Sequence, residues 1–383
     1  MAIYLDYNAS SPIHPDVLEL MMDVYKNYIG NADSRTHDFG NNANKIVADA
    51  RAQVASLLGV KSDEIFFTSG STESDNIAIQ GLRKYGLTHN KKHIITTSIE
   101  HKAVLETAKA MQEFGFEVDF IDPEENGIVP ASKVLEKIRP DTLLVSVMHV
   151  NNETGMIQPV HEIGSALKDK DIYFHVDATQ SCGKLVNEIR NLDYDMLSIA
   201  SHKMRGPQGI GALVLKRKRF KLPPIQKIMY GGDQEHGIRP GTTPVALVAG
   251  FGKACEIAEN TYQQNEKQAK EIKTEILNLL KLSGLEYKIN GEQEKCISST
   301  INLALTGVNS EALMIAAKQF VGISNGSACT SHSYAPSYVL RAMGIPDDLI
   351  NCSIRLSWGS QTNIEDVKLE VKSLLEVAKG LVF

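Results

Sequence analysis

The sequence predicts an α/β fold on a mostly parallel seven-stranded sheet, followed by a smaller α+β region. Short apolar runs at 65–68, 93–97, 117–121, 142–150, 173–176, 196–200 and 211–215 read as seven strands. Amphipathic stretches lie between several of them, such as the one placing Val104, Leu105, Ala108, Met111 and Phe114 at helical spacing. Strand–helix alternation of this kind calls for a largely parallel sheet covered on both faces. The length of 383 residues exceeds what one compact core holds, so two lobes are expected.

Taken in order, IFFTSGSTESDNIAIQGL (65–82) reads as a strand, a small-residue turn and a helix start. Free backbone N–H groups at a helix N-terminus make an anion site, and Ser71 and Thr72 are placed to grip a phosphate there. An ordinary capped helix would use the same residues. Further on, YFHV (173–176) and MLSIA (196–200) each end in polar residues. Asp177 and Gln180 follow the first run, and Ser201, His202 and Lys203 follow the second. In an open α/β sheet, ligands sit at the carboxyl ends of strands. A carboxylate and a lysine delivered there fit pyridoxal phosphate, the Asp keeping the pyridine nitrogen protonated and the Lys forming the Schiff base. They fit a buried ion pair as well. MRGPQGIGALVLKR after Lys203 reads as a turn into a hairpin partner strand.

The segment 256–281 reads as a long helix leading to the second region, where STINLAL (299–305) looks like a strand and SEALMIAAKQF (310–320) a helix. In SNGSACTSHS (324–333), small and polar residues surround Cys329, a composition suited to a mobile surface loop. That thiol is either a nucleophile that travels or a free loop cysteine. No internal repeat or low-complexity tract interrupts the chain.

Composition excludes several classes. Forty Lys and Arg against 46 Asp and Glu give a net charge of −6, with 43% apolar residues, as in ordinary globular chains. No apolar run reaches the ~18 residues of a membrane span. MAIYLDYNAS lacks the basic and apolar pattern of a secretory signal. Cysteines at 182, 255, 296, 329 and 352 make neither a disulfide framework nor a metal spacing, so a reducing, cytoplasmic setting is expected. An acidic chain is poorly suited to direct nucleic-acid binding.

Several further segments carry a resemblance: IYLDYNASSP, TSGSTESDN, SIEH, MHVNNETG, HVDATQ, SHK, RPGT, SNGSACTS and SIRLSWG, in that order along nearly the whole chain. With them the chain resembles the cysteine desulfurases, fold-type I pyridoxal-phosphate enzymes of the class V aminotransferase group, of the long-loop, group I-like kind. The resemblance implies a large cofactor-binding domain over 15–255, with 1–14 and 256–383 forming a small domain that carries the cysteine loop. It implies Lys203 as Schiff-base lysine, Asp177 at the ring nitrogen, His101 stacked on the ring as acid or base, and Gln180 at the ring hydroxyl. Ser71, Thr72 and His202 would lie at the phosphate, and Asn152 would face cofactor and substrate. Thr242 would reach a neighbouring subunit's phosphate in a homodimer, and Arg355 would clamp the substrate carboxylate. Cys329 would attack the substrate sulfur as a thiolate, with His332 or the cofactor region lowering its pKa. The other four cysteines read as structural.

The implied reaction takes sulfur from L-cysteine, releases L-alanine and leaves a persulfide on Cys329 for a sulfur-acceptor protein. Iron–sulfur clusters, tRNA thiolation and DNA phosphorothioation are all open destinations. A selenocysteine lyase or an aminotransferase of the same fold is the alternative. Two departures from the family pattern stand out. Ala200 occupies a position where many relatives hold the phosphate with Ser, and Ser201 lies next to it. The chain stops at Phe383, short of the tail that docks an iron–sulfur scaffold protein in housekeeping relatives.

Overall fold

The structure, a computed structural model, describes residues 2–218, 220–326 and 336–382. Its strands are β1 (Ile3–Tyr4), β2 (Ile65–Thr68), β3 (His93–Thr97), β4 (Glu117–Ile121), β5 (Thr142–Met148), β6 (Tyr173–Asp177), β7 (Met196–Ala200), β8 (Gly211–Leu215), β9 (Tyr287–Ile289), β10 (Thr300–Leu305), β11 (Val321–Gly322) and β12 (Ser353–Ser357). All seven expected sheet strands form and join in the order β2-β8-β7-β6-β5-β3-β4. Neighbours from β7 to β4 run parallel, while β8 is antiparallel to both β7 and β2. The strand β2 therefore points the same way as the parallel set, and its carboxyl end reaches the same edge.

Every residue of β2, β3, β5, β7 and β8 is buried, which explains why these strands read as continuous apolar runs rather than as alternation. One core holds Phe67, Val145, Val176, Val214 and Phe251, and another holds Phe66, Ile77, Ile94, Val104 and Leu213. Adjacent residues of β2, Phe66 and Phe67, thus point into opposite cores, as the strand pleat requires. The expected strand 142–150 stops at Met148. Beyond it the Asn151 side chain accepts the N–H groups of Glu153 and Thr154 and turns the chain.

The long helix begins earlier than the sequence pattern indicates, running from Val245 to Ser283. Its first turns are apolar on most sides because they are buried, which hides the helical period. Val248, Phe251 and Cys255 pack in the core below the sheet, whereas Ile272, Ile276 and Leu280 join Leu303, Trp358 and Val371 in a separate core. There, β10 lies between β9 and β12, antiparallel to both. The N-terminal β1 pairs in parallel with β11, bringing Leu5 into this second core. The expected helix 310–320 ends at Ala317, because the chain must turn through Phe320 to feed β11.

Candidate active site

Four consecutive neighbours in the sheet deliver the candidate residues to one edge. Lys203 follows β7 through a single 3₁₀ turn, Asp177 ends β6, Asn152 follows β5 and His101 follows β3. From β2, the chain turns at Gly70 into the helix Ser71–Gln80, so Ser71 and Thr72 lie in its first turn. Gly70 has φ 154°, and a Cβ built on Gly211 of β8 would come within 2.8 Å of its Cα. The helix start can approach the sheet that closely only because both positions are glycine.

Lys203 is held by the N-terminal segment. Its Nζ donates to the carbonyl oxygens of Asn8 (2.6 Å) and Ala9 (2.7 Å). The Asn8 oxygen also accepts Gln180 Nε2 at 2.9 Å, and Gln180 Oε1 lies 3.4 Å from Lys184 Nζ. Burial, with Lys203 and Arg355 nearby, brings the Lys184 amine down to about 7. Neither the Asn8 backbone nor Lys184 was expected from the sequence. IYLDYNASSP was a visible motif, but its carbonyls leave no trace in side-chain chemistry.

His101 caps the helix Lys102–Gln112, its Nδ1 accepting the Ala103 N–H at 3.2 Å. That bond leaves Nε2 as the protonated nitrogen of the neutral ring. Burial lowers its pKa, partly offset by Asp177, and Lys203 adds to the lowering. Asp177 is nearly enclosed, and its Oδ1 accepts the Thr179 N–H at 3.0 Å.

Arg355, on β12, crosses from the second region. Its Nη2 pairs with Asp6 Oδ1 at 2.6 Å and its Nη1 donates to the Asn152 carbonyl at 2.8 Å. The Nε of Arg355 and the Oδ1 of Asn152 are buried without a hydrogen-bond partner, as is Thr179 Oγ1. Such buried, unmet polar atoms near Lys203 and Asp177 suit a polar ligand. With an amine, a buried carboxylate and a helix N-terminus on the same edge, the residues fit pyridoxal phosphate and an amino-acid substrate.

His202 is half-buried, and burial followed by the Lys203 charge lowers its pKa to about 4, so it meets a ligand as a neutral ring. Ser201 is fully buried beside Gly206, where a Cβ would press on its hydroxyl. Thr242 is exposed and follows Arg239, whose Nε bonds Glu73 Oε1 at 3.0 Å. Cys329 and His332 lie outside the described residues. The described positions flanking them meet at Glu153: Ser337 donates to its Oε2, and a Cβ on Gly326 would come within 2.7 Å of the same oxygen. Burial raises Glu153 to about 7. Cys182, Cys255 and Cys296 are buried with pKa values raised by desolvation, so they are held as thiols, while Cys352 is half-buried.

This edge chemistry defines an enzyme site built for pyridoxal phosphate, and the chain belongs to the aminotransferase class-V family, whose profile matches residues 3–369. Its fold is that of the fold-type I pyridoxal-phosphate enzymes, and pyridoxal 5′-phosphate is the cofactor of the family. It is 43% identical over 387 residues to "Cysteine desulfurase IscS" of Glaesserella parasuis, covering 100% of this chain and 93% of that one. A solved structure described as a "NifS-like protein" superposes with a TM-score of 0.91 at 32% identity, covering 100% of both chains. Another, "SspA in complex with cysteine", gives 0.79 at 35% identity, covering 92% of this chain and 98% of that one.

Proposed function

We propose that this chain is a cysteine desulfurase. It takes the sulfur of L-cysteine onto Cys329 as a persulfide, releases L-alanine and passes the sulfur to an acceptor protein. The observation that carries the reading is the single edge on which Lys203, Asp177, Asn152 and His101 converge, with Arg355 arriving from the second region. Relatives named as cysteine desulfurases and a similar structure holding cysteine support the same substrate.

Bound pyridoxal phosphate supplies an electron sink for charge formed at the substrate α-carbon. The protein supplies the rest. The Asp177 carboxylate holds the proton of the ring nitrogen. The guanidinium of Arg355, fixed on two sides by Asp6 and Asn152, receives the substrate carboxylate. The Lys203 amine removes the α-proton, and the neutral His101 ring keeps an N–H available on the same edge. Gln180, oriented by Asn8 and Lys184, would meet the ring hydroxyl, while Ser71, Thr72 and His202 would hold the phosphate. The Cys329 thiolate then attacks the substrate sulfur. An S–S bond forms, the C–S bond breaks, and its electron pair stays with the β-carbon, which gains a proton. L-cysteine and a thiol become L-alanine and a persulfide with no external oxidant.

Purified protein given L-cysteine and a reductant should release alanine and sulfide in equal amounts. Cys329→Ser should keep the visible band of the bound cofactor yet release almost no alanine, because a hydroxyl cannot accept a sulfur atom. Alanine at the parent rate from that variant, or the extra sulfur on another cysteine, overturns the assignment.

The working form is a homodimer in a reducing cytoplasm, with Thr242 serving the partner's phosphate and the lobes dividing near 255. Exposed Leu18, Met22 and Tyr25 along the helix Pro15–Asn27, with exposed Ile29 just past its end, support a second copy as occupant of that apolar surface. Sedimentation showing a fully active monomer removes this part of the reading.

A further inference from the structure

A second polar layer lies behind Asp177, and no step derived above uses it. His175, two residues before Asp177 on β6, sits on the same face of the strand. Its Nδ1 lies 2.8 Å from Ser146 Oγ on β5, and its Nε2 lies 2.9 Å from Ser198 Oγ on β7. Asp75, on the helix Ser71–Gln80, brings Oδ1 to 3.5 Å from the same Nε2. Asp75, His175, Ser146 and Ser198 are all essentially without solvent contact, and neither Asp75 oxygen has a hydrogen bond of good geometry. Glu100, equally buried, accepts Thr97 Oγ1 and the Met148 N–H through Oε1 while its Oε2 has no partner. Three carboxyl groups, Asp75, Glu100 and Asp177, thus occupy one buried region and act on each other electrostatically.

Like charges so placed cannot all ionise. Desolvation, then Asp177, raises Asp75 well above the usual carboxylate range, and desolvation raises Glu100 to about 8. Burial lowers His175 to about 4, leaving a neutral ring with one donor and one acceptor nitrogen. A protonated Asp75 has the single O–H that such a ring, or the Ser198 hydroxyl, can accept. The groups facing it are Asp177 and His175 on β6, Ser198 on β7 and Glu100 after β3; none is a cation in this state.

We propose that Asp75 is a positioning residue for the cofactor, a buried acid packed against His175 that leaves Asp177 as the carboxylate turned to the ring nitrogen. The proposal rests on Asp177 serving the ring nitrogen. Asp75 touches neither substrate nor ring; it acts by keeping a second carboxylate from competing for the same proton and by fixing the strand face that aims Asp177.

The test separates this role from packing. In cofactor-free protein at neutral pH, the infrared difference between parent and Asp75→Asn should contain a protonated-carboxyl band belonging to Asp75. Asp75→Asn copies the shape and neutrality of the acid, so its Kd for pyridoxal phosphate and its exchange of the L-alanine α-proton with solvent deuterium should stay within about twofold of parent. Asp75→Ala removes the group packed against His175 and should weaken Kd about tenfold and slow the exchange by a similar factor. Absence of the infrared band overturns the proposal. So does Asp75→Asn as damaging as Asp75→Ala, or Asp75→Ala indistinguishable from parent. If Asp75→Ala fails to fold, the infrared band and the Asp75→Asn values decide. A parent that binds no pyridoxal phosphate would sink the cofactor reading instead, and the infrared arm would still report the proton on Asp75.

Discussion

Arg355 and Asp6 form a nearly buried ion pair, Nη2 to Oδ1 at 2.6 Å, that joins the first turn of the chain to a strand near its end. With Nη1 on the Asn152 carbonyl, the guanidinium plane is fixed from two directions and its Nε is left without a partner. A charged group held this way does not need to be ordered again when a carboxylate arrives.

Replacing this fork tests its role. Arg355→Lys keeps the charge but loses the planar donors, and should raise KM for L-cysteine by roughly 10- to 100-fold, the range of a charge-assisted hydrogen bond. Asp6→Asn keeps the guanidinium and loses its anchor, so a smaller rise is expected. Alanine release measured across a cysteine series checks both. An unchanged KM in Arg355→Lys would remove Arg355 from substrate binding.

Lys203→Ala should abolish the visible cofactor band and turnover while leaving far-UV circular dichroism intact. The Asn8 carbonyl keeps its bond from Gln180, while the Ala9 carbonyl loses its bond from Lys203 Nζ. The stability cost is then about 1 kcal/mol, readable in urea unfolding. A reducible cofactor adduct persisting in the variant would show that another lysine is the anchor.

Glu100 makes stability depend on pH in a stated direction. Its carboxyl rises from 4.5 to about 8 on folding, so the folded protein binds more protons than the unfolded chain between those values. Its contribution is complete below the unfolded pKa and is lost as pH rises through the folded one. The difference in unfolding free energy between parent and Glu100→Gln should therefore fall by roughly 1 kcal/mol per pH unit across that window. Urea titrations at several pH values measure it. A difference that does not vary with pH would mean Glu100 is ionised in the native state.

Much of the architecture was legible in the chain. Fully buried strands announce themselves as unbroken apolar runs, and the residues just after them mark the ligand edge, which is how Asp177 and Lys203 stand out. The start of the long helix was not legible, because burial on most sides of Val245–Cys255 removes the amphipathic period. The extent of the helix after Asn309 was also overread, since the need to feed β11 is a tertiary constraint.

The sequence by itself determined the seven strands of the main sheet, the small-residue turn at Ser71 and the residue types at those strand ends, since these follow from local pattern and chemistry. Tertiary structure alone decided the contacts that join distant positions. Lys203 hangs on the carbonyls of Asn8 and Ala9, Arg355 is set by Asp6, and Asp75 reaches His175. Backbone carbonyls carry no residue identity, and a charge or a proton is placed by whatever the folded chain packs around it. Such relationships exist only once the strands have been brought side by side.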